Sequence, residues 1–243
     1  MNLKKFAAAI LVAAALSSGA MAKNHPYGMD IAAGVIGLEY CEAKFKESGV
    51  DSTYMHNVLD IVPVKVDTYV FPWLNNHLGI YASIGFLPGP GVDLNYKTKK
   101  KSGTVERSGV GFSFGVEFMA GPAFGVDLGE SNVRFQVGAP IHIMFGGGKI
   151  AFGSNEWDTF KQWNDAADTK VFFSAFGFGL TPQFRFMANR RCSLVVGTDF
   201  TFDFSYNQTL EKNGVKSSPT AGADSKFRFG FVPYIGLGIN FGD

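Results

Sequence analysis

The residue types that carry out catalysis occur in this chain at spacings that do not favour an active site. Gly111, Ser113 and Gly115 match the G-x-S-x-G pattern of hydrolases, but that chemistry needs a sharp strand-to-helix turn that exposes the serine. Here the alternating pattern of a strand continues through the motif. Residues 146–149 lack the upstream glycine and the following hydroxyl residue of a phosphate-binding loop. The four histidines are scattered, without metal-site spacing, so we expect no catalytic, cofactor or metal site.

A second set of chemically active residues is ionisable and lies on the polar face of segments whose other face is apolar. Both signs of charge occur on this face in similar number, and burying them unpaired would be costly. The pattern therefore predicts a paired interior network of Lys65, Asp67, Glu117, Arg134, His142, Arg185, Asp199, Asp203 and Arg228, with Arg191 on the same face. A polar conduit or ligand pocket stays open as the alternative, because many interior glycines would leave space.

Hairpin geometry indicates which of these charges should meet. Around a turn centred near residue 130, and across the last hairpin, residues at equal distances from the turn lie opposite one another. The expected partners are Glu117 with His142 or Met144, Asp127 with Asn132 or Arg134, and Asp203 with Arg228.

The elements that position these residues are strands, because apolar and polar side chains alternate with a period of two. The clearest is 226–241, whose one face is apolar and half aromatic while the other is small or polar. The same test predicts seven more strands, of which the first has the weakest alternation because it blurs at Ile36. The predicted strands are 29–40, 58–71, 78–87, 110–127, 133–145, 170–187, 193–206 and 226–241.

The length of these strands separates a membrane barrel from a soluble sandwich. Strands of globular proteins average about 5–6 residues, whereas a strand tilted across a bilayer needs about 9–11 residues and turns its apolar face to lipid. The joins after strands 2, 4 and 6 are short, and those after strands 1, 3, 5 and 7 are long (41–57, 88–109, 146–169 and 207–225). The sequence predicts an all-β, eight-stranded antiparallel up-and-down transmembrane β-barrel with short periplasmic turns and four long external loops.

The amino terminus has the pattern of a secretory signal peptide. Lys4 and Lys5 precede an apolar run that ends before Ala20-Met21-Ala22, so we expect cleavage after Ala22 and a barrel domain over 23–243. Cleavage removes two of the 22 Lys and Arg residues and none of the 21 Asp and Glu residues, which leaves a formal charge of −1. This charge argues against a nucleic-acid partner.

The two cysteines could form one disulfide in an oxidising compartment. The predicted topology places Cys41 and Cys192 near opposite ends of the barrel. Because Cα atoms more than about 7 Å apart cannot be bridged, we expect both thiols to be free.

The signal peptide, eight amphipathic strands, three tight turns and four long loops resemble small bacterial outer-membrane barrels of the OmpA, OmpX and OmpW kind. The ending Tyr234-x-Gly236-x-x-Ile239-x-Phe241 resembles their carboxy-terminal signal for the barrel-assembly machinery, although Gly242 and Asp243 follow the terminal aromatic residue here. The resemblance implies a monomer in the outer membrane, with lipid and the assembly machinery as partners and no cofactor.

Two of the predicted external loops carry residues suited to surface contacts. Loop 88–109 has a local excess of positive charge that would attract lipid phosphates or acidic glycans, and loop 146–169 has aromatic residues at helix-like spacing. The candidate contacts are Lys97, Lys99, Lys100, Lys101, Trp157 and Trp163. A solvated loop tip and core packing of the loop are the structural alternatives.

The sequence thus favours a non-enzymatic outer-membrane protein with a structural or surface-interaction role. A narrow channel for small solutes is the first alternative, because the interior is rich in glycine. A lipid-modifying enzyme with His56 at the outer rim is the second, since some eight-stranded barrels are acyltransferases, but nothing in the sequence singles out its partners.

Overall fold

The computed structural model describes residues 27–34, 36–47, 50–61, 63–100, 103–129, 132–153, 169–188, 191–218 and 220–241. The predicted signal peptide therefore lies outside the described residues. No helix in these ranges is long and apolar enough to cross a membrane. The strands are β1 (Tyr27–Gly34), β2 (Ile36–Glu47), β3 (Val50–Ile61), β4 (Val64–Trp73), β5 (Leu78–Lys100), β6 (Gly103–Asp127), β7 (Val133–Gly138), β8 (Ile141–Gly153), β9 (Thr169–Met187), β10 (Cys192–Lys212), β11 (Val215–Ser217) and β12 (Ser225–Phe241).

The strands form one antiparallel sheet that closes on itself. β1 and β2 follow one another along the same edge of β12, β3 and β4 do so along β5, and β7 and β8 do so between β6 and β9. These pairs each make one long wall strand, so the ring has eight members. It closes where β1 pairs with β12, from Tyr27 opposite Phe241 to Gly34 opposite Tyr234. The predicted eight-stranded up-and-down barrel is confirmed.

The two faces of the wall have the polarity of a membrane barrel. On β9 the side chains of Phe178 and Phe184 are 56% and 44% exposed on the outer wall, while Gln183 and Arg185 on the inner face are 2% and 0% exposed. Exposed phenylalanine, leucine and isoleucine side chains recur on the outer face of the other wall strands. Lipid therefore solvates the apolar face, and polar side chains fill the interior.

The long joins lie at one end of the barrel and the short turns at the other, but much of the predicted loop sequence is strand. β5 continues to Lys100 and β6 begins at Gly103, so most of 88–109 extends the hairpin. β2 and β3 likewise pair from Ile36 and Ile61 up to Glu47 and Val50. These extensions lack alternation between apolar and polar residues because, beyond the bilayer, neither face needs to be apolar.

Two shifts in side-chain alternation were not predicted. In β1 the outward residues are odd-numbered, as with Ile31, whereas in β2 they are even-numbered, as with Ile36 and Leu38. This shift explains the blurred pattern of the first strand. In β10 a bulge inserts Phe204 between residues that pair with β9. Tyr206, which unbroken alternation along the predicted strand 193–206 would turn outward, is therefore inside and 2% exposed.

The structure places the two cysteines far apart and unbridged, as expected. Cys41 lies opposite Arg228 on β12, and Cys192 lies opposite Ile239 on the same strand. These partners are separated by eleven positions, or about 36 Å at about 3.3 Å per residue. Such a separation excludes a disulfide.

Candidate functional site in the barrel interior

All nine residues of the predicted interior network point into the barrel and are at most 5% exposed. Arg191 is the exception among the predicted inward charges, because it lies exposed in the bend before β10. Alternation in the sequence placed its side chain on the inner face of a strand, but the strand begins one residue later, at Cys192. The other predicted charges form four groups, three of which join strands that are distant in sequence.

The first group surrounds Lys65 on β4. Its Nζ donates to Oδ1 and Oδ2 of Asp199 on β10 at 2.9 and 2.8 Å, and lies 3.0 Å from Asp67 Oδ2. Tyr81 donates to Asp67 Oδ1 at 2.9 Å, and the ammonium lies 3.5 Å from the ring centroid of Tyr234. One buried cation therefore neutralises two carboxylates and contacts an aromatic face.

The second group is centred on His142 of β8. Its Nδ1 donates to Asp203 Oδ1 at 2.7 Å, and its Nε2 lies 3.4 Å from Glu117 Oε2. Arg228 Nη1 donates to the other oxygen of Asp203 at 2.6 Å, and the same guanidinium forms an ion pair with Glu39. Asp203 thus links His142 on β8 to Arg228 on β12.

The third group binds β9 to the first and last strands. The guanidinium of Arg185 forms an ion pair with both oxygens of Asp30 and donates to Ser193. It also donates to Asn240 Oδ1 at 2.9 Å and lies 4.3 Å from the ring centroid of Tyr69. This group lies next to the strand pair that closes the ring.

The fourth group sits close to the short turns. Arg134 Nη1 donates to Asp127 Oδ1 at 3.1 Å, and the two residues lie directly opposite on β7 and β6. The guanidinium also donates to the carbonyl of Asn76 and lies 4.7 Å from the ring centroid of Phe71. Arg134 therefore ties two neighbouring turns together.

Sequence reasoning missed two acidic members of these groups, Asp30 and Glu39. Both lie on the first wall strand, where the shift between β1 and β2 hides the alternation. If the alternation of side chains is counted separately in β1 and in β2, Asp30 lies with Ala32, and Glu39 lies with Cys41, on the inner face. The inward tyrosines of β4, β5 and β12 followed from the pattern, but their role as partners of charges did not.

Toward the long hairpins the interior becomes apolar. Cys41, Leu87, Met144, Ala175 and Tyr206 pack together, with Phe173 against them. This layer lies above the charged groups and contributes side chains from β2, β5, β8, β9 and β10. The cross-section is therefore filled by side chains here as well.

One interior pocket next to the charged groups is lined by Tyr69, Phe71, Tyr81, Gln136 and Gln183. It has no room for a water molecule. Within the described part of the chain, no group of three or more histidine, cysteine, aspartate or glutamate side chains could hold a metal ion. The arrangement is therefore that of a packed ionic core.

The predicted surface contacts lie on the long hairpins or outside the described residues. Lys97, Lys99 and Lys100 belong to the extension of β5, opposite Glu106, Thr104 and Gly103, and Lys101, Trp157 and Trp163 lie outside the described residues. His56, the candidate of the enzyme alternative, is opposite Cys41 on the β2–β3 hairpin.

No protein-family model and no curated protein sequence matches the chain. Among solved structures the chain is similar to the outer membrane protease OmpT from Escherichia coli, with a TM-score of 0.53 and 12% identity over 93% of this chain and 100% of that one. It is also similar to the outer membrane protein OprG from Pseudomonas aeruginosa, with a TM-score of 0.47 and 10% identity over 90% and 99% of the two chains. Neisserial surface protein A has a TM-score of 0.41 and 9% identity over 86% and 99%. With its apolar outer wall, the chain is an integral β-barrel protein of the bacterial outer membrane.

Proposed function

We propose that the protein is a non-conducting, non-enzymatic membrane anchor that presents long β-hairpins outside the cell as an interaction surface. The observation that carries this proposal is the filled interior, in which ion pairs run across the lumen. Lys65 on β4 reaches Asp199 on β10, and Arg185 on β9 reaches Asp30 on β1. A solute path through the barrel would have to break such pairs, and each break leaves an unpaired buried charge.

The length of the hairpins supports the second half of the proposal. β5 and β6 have 23 and 25 residues, whereas about 9–11 residues cross a bilayer. More than half of each strand is therefore available outside the membrane, at a rise of about 3.3 Å per residue. A barrel whose only role was to sit in the membrane would not need walls of this length.

Conductance tests the closed interior. Purified protein in planar bilayers should show no large, stable channel at neutral pH, because ion pairs and an apolar layer cross the lumen. A matched variant, Leu87→Gly with Met144→Gly, removes two side chains of the apolar layer and measures how far that layer alone closes the lumen. Steady conductance of the unaltered protein would refute the anchor proposal and favour the channel alternative.

Retention on immobilised heparin tests the interaction surface. We expect salt-sensitive retention, because the β5–β6 hairpin carries Lys97, Lys99, Lys100 and Lys101. Replacing all four with glutamine should release the protein at lower salt. Equal retention of the variant would exclude this hairpin as an acidic-glycan contact.

The enzyme alternative is tested by assaying lipid acyl transfer and protein cleavage with His56→Ala beside the unaltered chain. We expect neither activity. The similarity to OmpT at 12% identity extends to the fold only.

A further inference from the structure

A row of exposed charges crosses four neighbouring strands on the outer wall. Lys149 on β8 lies opposite Lys170 on β9, Lys170 lies opposite Glu211 on β10, and Glu211 lies opposite Lys216 on β11. Because each residue lies directly opposite the next across the sheet, these four side chains form a single band. We call it the basic row.

The basic row is not neutralised from within. Glu211 lies 3.4 Å from Lys170 and 3.9 Å from Lys216, and these lysine side chains are 53% and 72% exposed. Lys149 forms no ion pair with any residue that the structure describes. The band therefore carries three positive charges and one negative charge, and its two directly opposed lysines repel each other.

Lys149 and Lys170 lie at the hairpin end of the apolar outer wall of β8 and β9. Phe172, two residues from Lys170 on the same face, is 51% exposed, and Phe145, the last large apolar residue before Lys149, is also 51% exposed. The ring of Phe172 lies over the backbone of Gly147 on β8. Aromatic residues at the boundary followed by lysines are the arrangement expected where acyl chains give way to headgroups.

The geometry points to a binding site for the phosphate group of an outer-leaflet lipid, held between Lys149 and Lys170. An anion there relieves the repulsion between the two lysines and forms charge-assisted hydrogen bonds with both. The acyl chains of the same molecule lie against Phe172 and Phe145. A soluble anion would lack this second contact, so the occupant is a phosphorylated lipid. This site does not depend on the proposed function of the hairpins.

The experiment measures binding of lipid A to the full-length folded protein in a neutral detergent, by native mass spectrometry and titration. We expect Lys149→Gln to weaken binding about tenfold and the double variant Lys149→Gln/Lys170→Gln to weaken it further. Lys44→Gln is the matched control, because Lys44 is also exposed toward the hairpin end but lies outside the basic row. It should change binding less than twofold.

Thermal unfolding gives a second measurement, because the difference in midpoint between Lys149→Gln and the unaltered protein should change sign when lipid A is added. Without lipid A, Lys149→Gln should raise the unfolding midpoint, because it removes a like-charge pair. With saturating lipid A the unaltered protein should be the more stable of the two, because it gains more from the ligand. This comparison also shows that the variant is folded.

The control arms separate the sources of phosphate. Dephosphorylated lipid A should bind far more weakly, and inorganic phosphate at the same concentration should not compete. Equal losses for Lys149→Gln and Lys44→Gln would show a general charge effect and overturn the site. No loss for Lys149→Gln, or full competition by inorganic phosphate, would also overturn it.

Discussion

Replacement of Lys65 provides the sharpest test of the interior, because this cation serves two carboxylates. Its Nζ lies 3.0 Å from Asp67 Oδ2 and 2.8 Å from Asp199 Oδ2. At an effective dielectric constant of about 20, each pair at about 3 Å is worth about 5–6 kcal/mol of Coulomb energy before desolvation. Lys65→Met removes both attractions and leaves two buried carboxylates without a cation.

The expected cost follows from what each variant leaves behind. Breaking a buried pair by removing one partner typically costs about 3–5 kcal/mol, so Lys65→Met should lower the free energy of unfolding by about 5 kcal/mol. Asp199→Asn keeps an acceptor for the ammonium and keeps the pair with Asp67, so it should cost about 1–3 kcal/mol. The lysine variant should therefore be the less stable by at least about 2 kcal/mol.

Urea unfolding of protein inserted in neutral lipid vesicles measures both values, with the slope checked for a constant change in exposed surface. A triple variant, Lys65→Met with Asp67→Asn and Asp199→Asn, serves as the control. It removes every charge of the group and should recover most of the loss, because no uncompensated charge remains. If Lys65→Met costs no more than Asp199→Asn, water reaches the group and the dry ionic core is refuted.

Three other outcomes follow from backbone and burial. Gly79→Ala should prevent folding, since a Cβ there would lie 1.9 Å from a carbonyl oxygen of the neighbouring strand. Gly214→Ala, at φ +77° with open space around it, should cost only about 1 kcal/mol. The gel shift between unheated and boiled samples shows whether each variant folds. In the folded protein a maleimide should label exposed Cys192 and leave buried Cys41 unmodified, and equal labelling would contradict the described interior. Deleting Phe204 should leave the folded fraction unchanged in the same gel assay, because it removes the extra residue of the bulge while Ser205 and Tyr206 keep their partners on β9; loss of the folded band would contradict the assigned bulge.

Period-two alternation was enough to predict the number of wall strands and the face that side chains take in the predicted stretches of β4 to β9 and in β12, where the structure describes them. The pattern is strong there because a residue between lipid and a polar lumen has only two environments. It failed at the two places where the strand changes phase, between Gly34 and Ile36 and at Phe204. A bulge adds a residue without changing composition, so nothing in the local sequence distinguishes it from continued alternation.

The pairing within the interior was only partly predictable, for a different reason. Partners on adjacent strands, such as Asp127 and Arg134, follow from hairpin register. Partners across the lumen, such as Lys65 and Asp199, depend on the stagger of the closed ring, which no single hairpin determines. The sequence of the long hairpins predicts even less about which side chains meet, because both faces of these strands meet water.

The division of roles between the two faces explains why the costly interior charges are useful. A strand that slips by two residues keeps every side chain on its own face, so the lipid-facing phenylalanines cannot distinguish the correct register from the slipped one. The inner face can, because a two-residue slip moves Arg228 away from Asp203 by about 6–7 Å and leaves both buried without a partner. The apolar wall therefore selects membrane insertion, and the charged groups select one register among the inserted forms. A barrel with all four groups replaced by neutral residues of similar volume would still insert, but it would populate several registers.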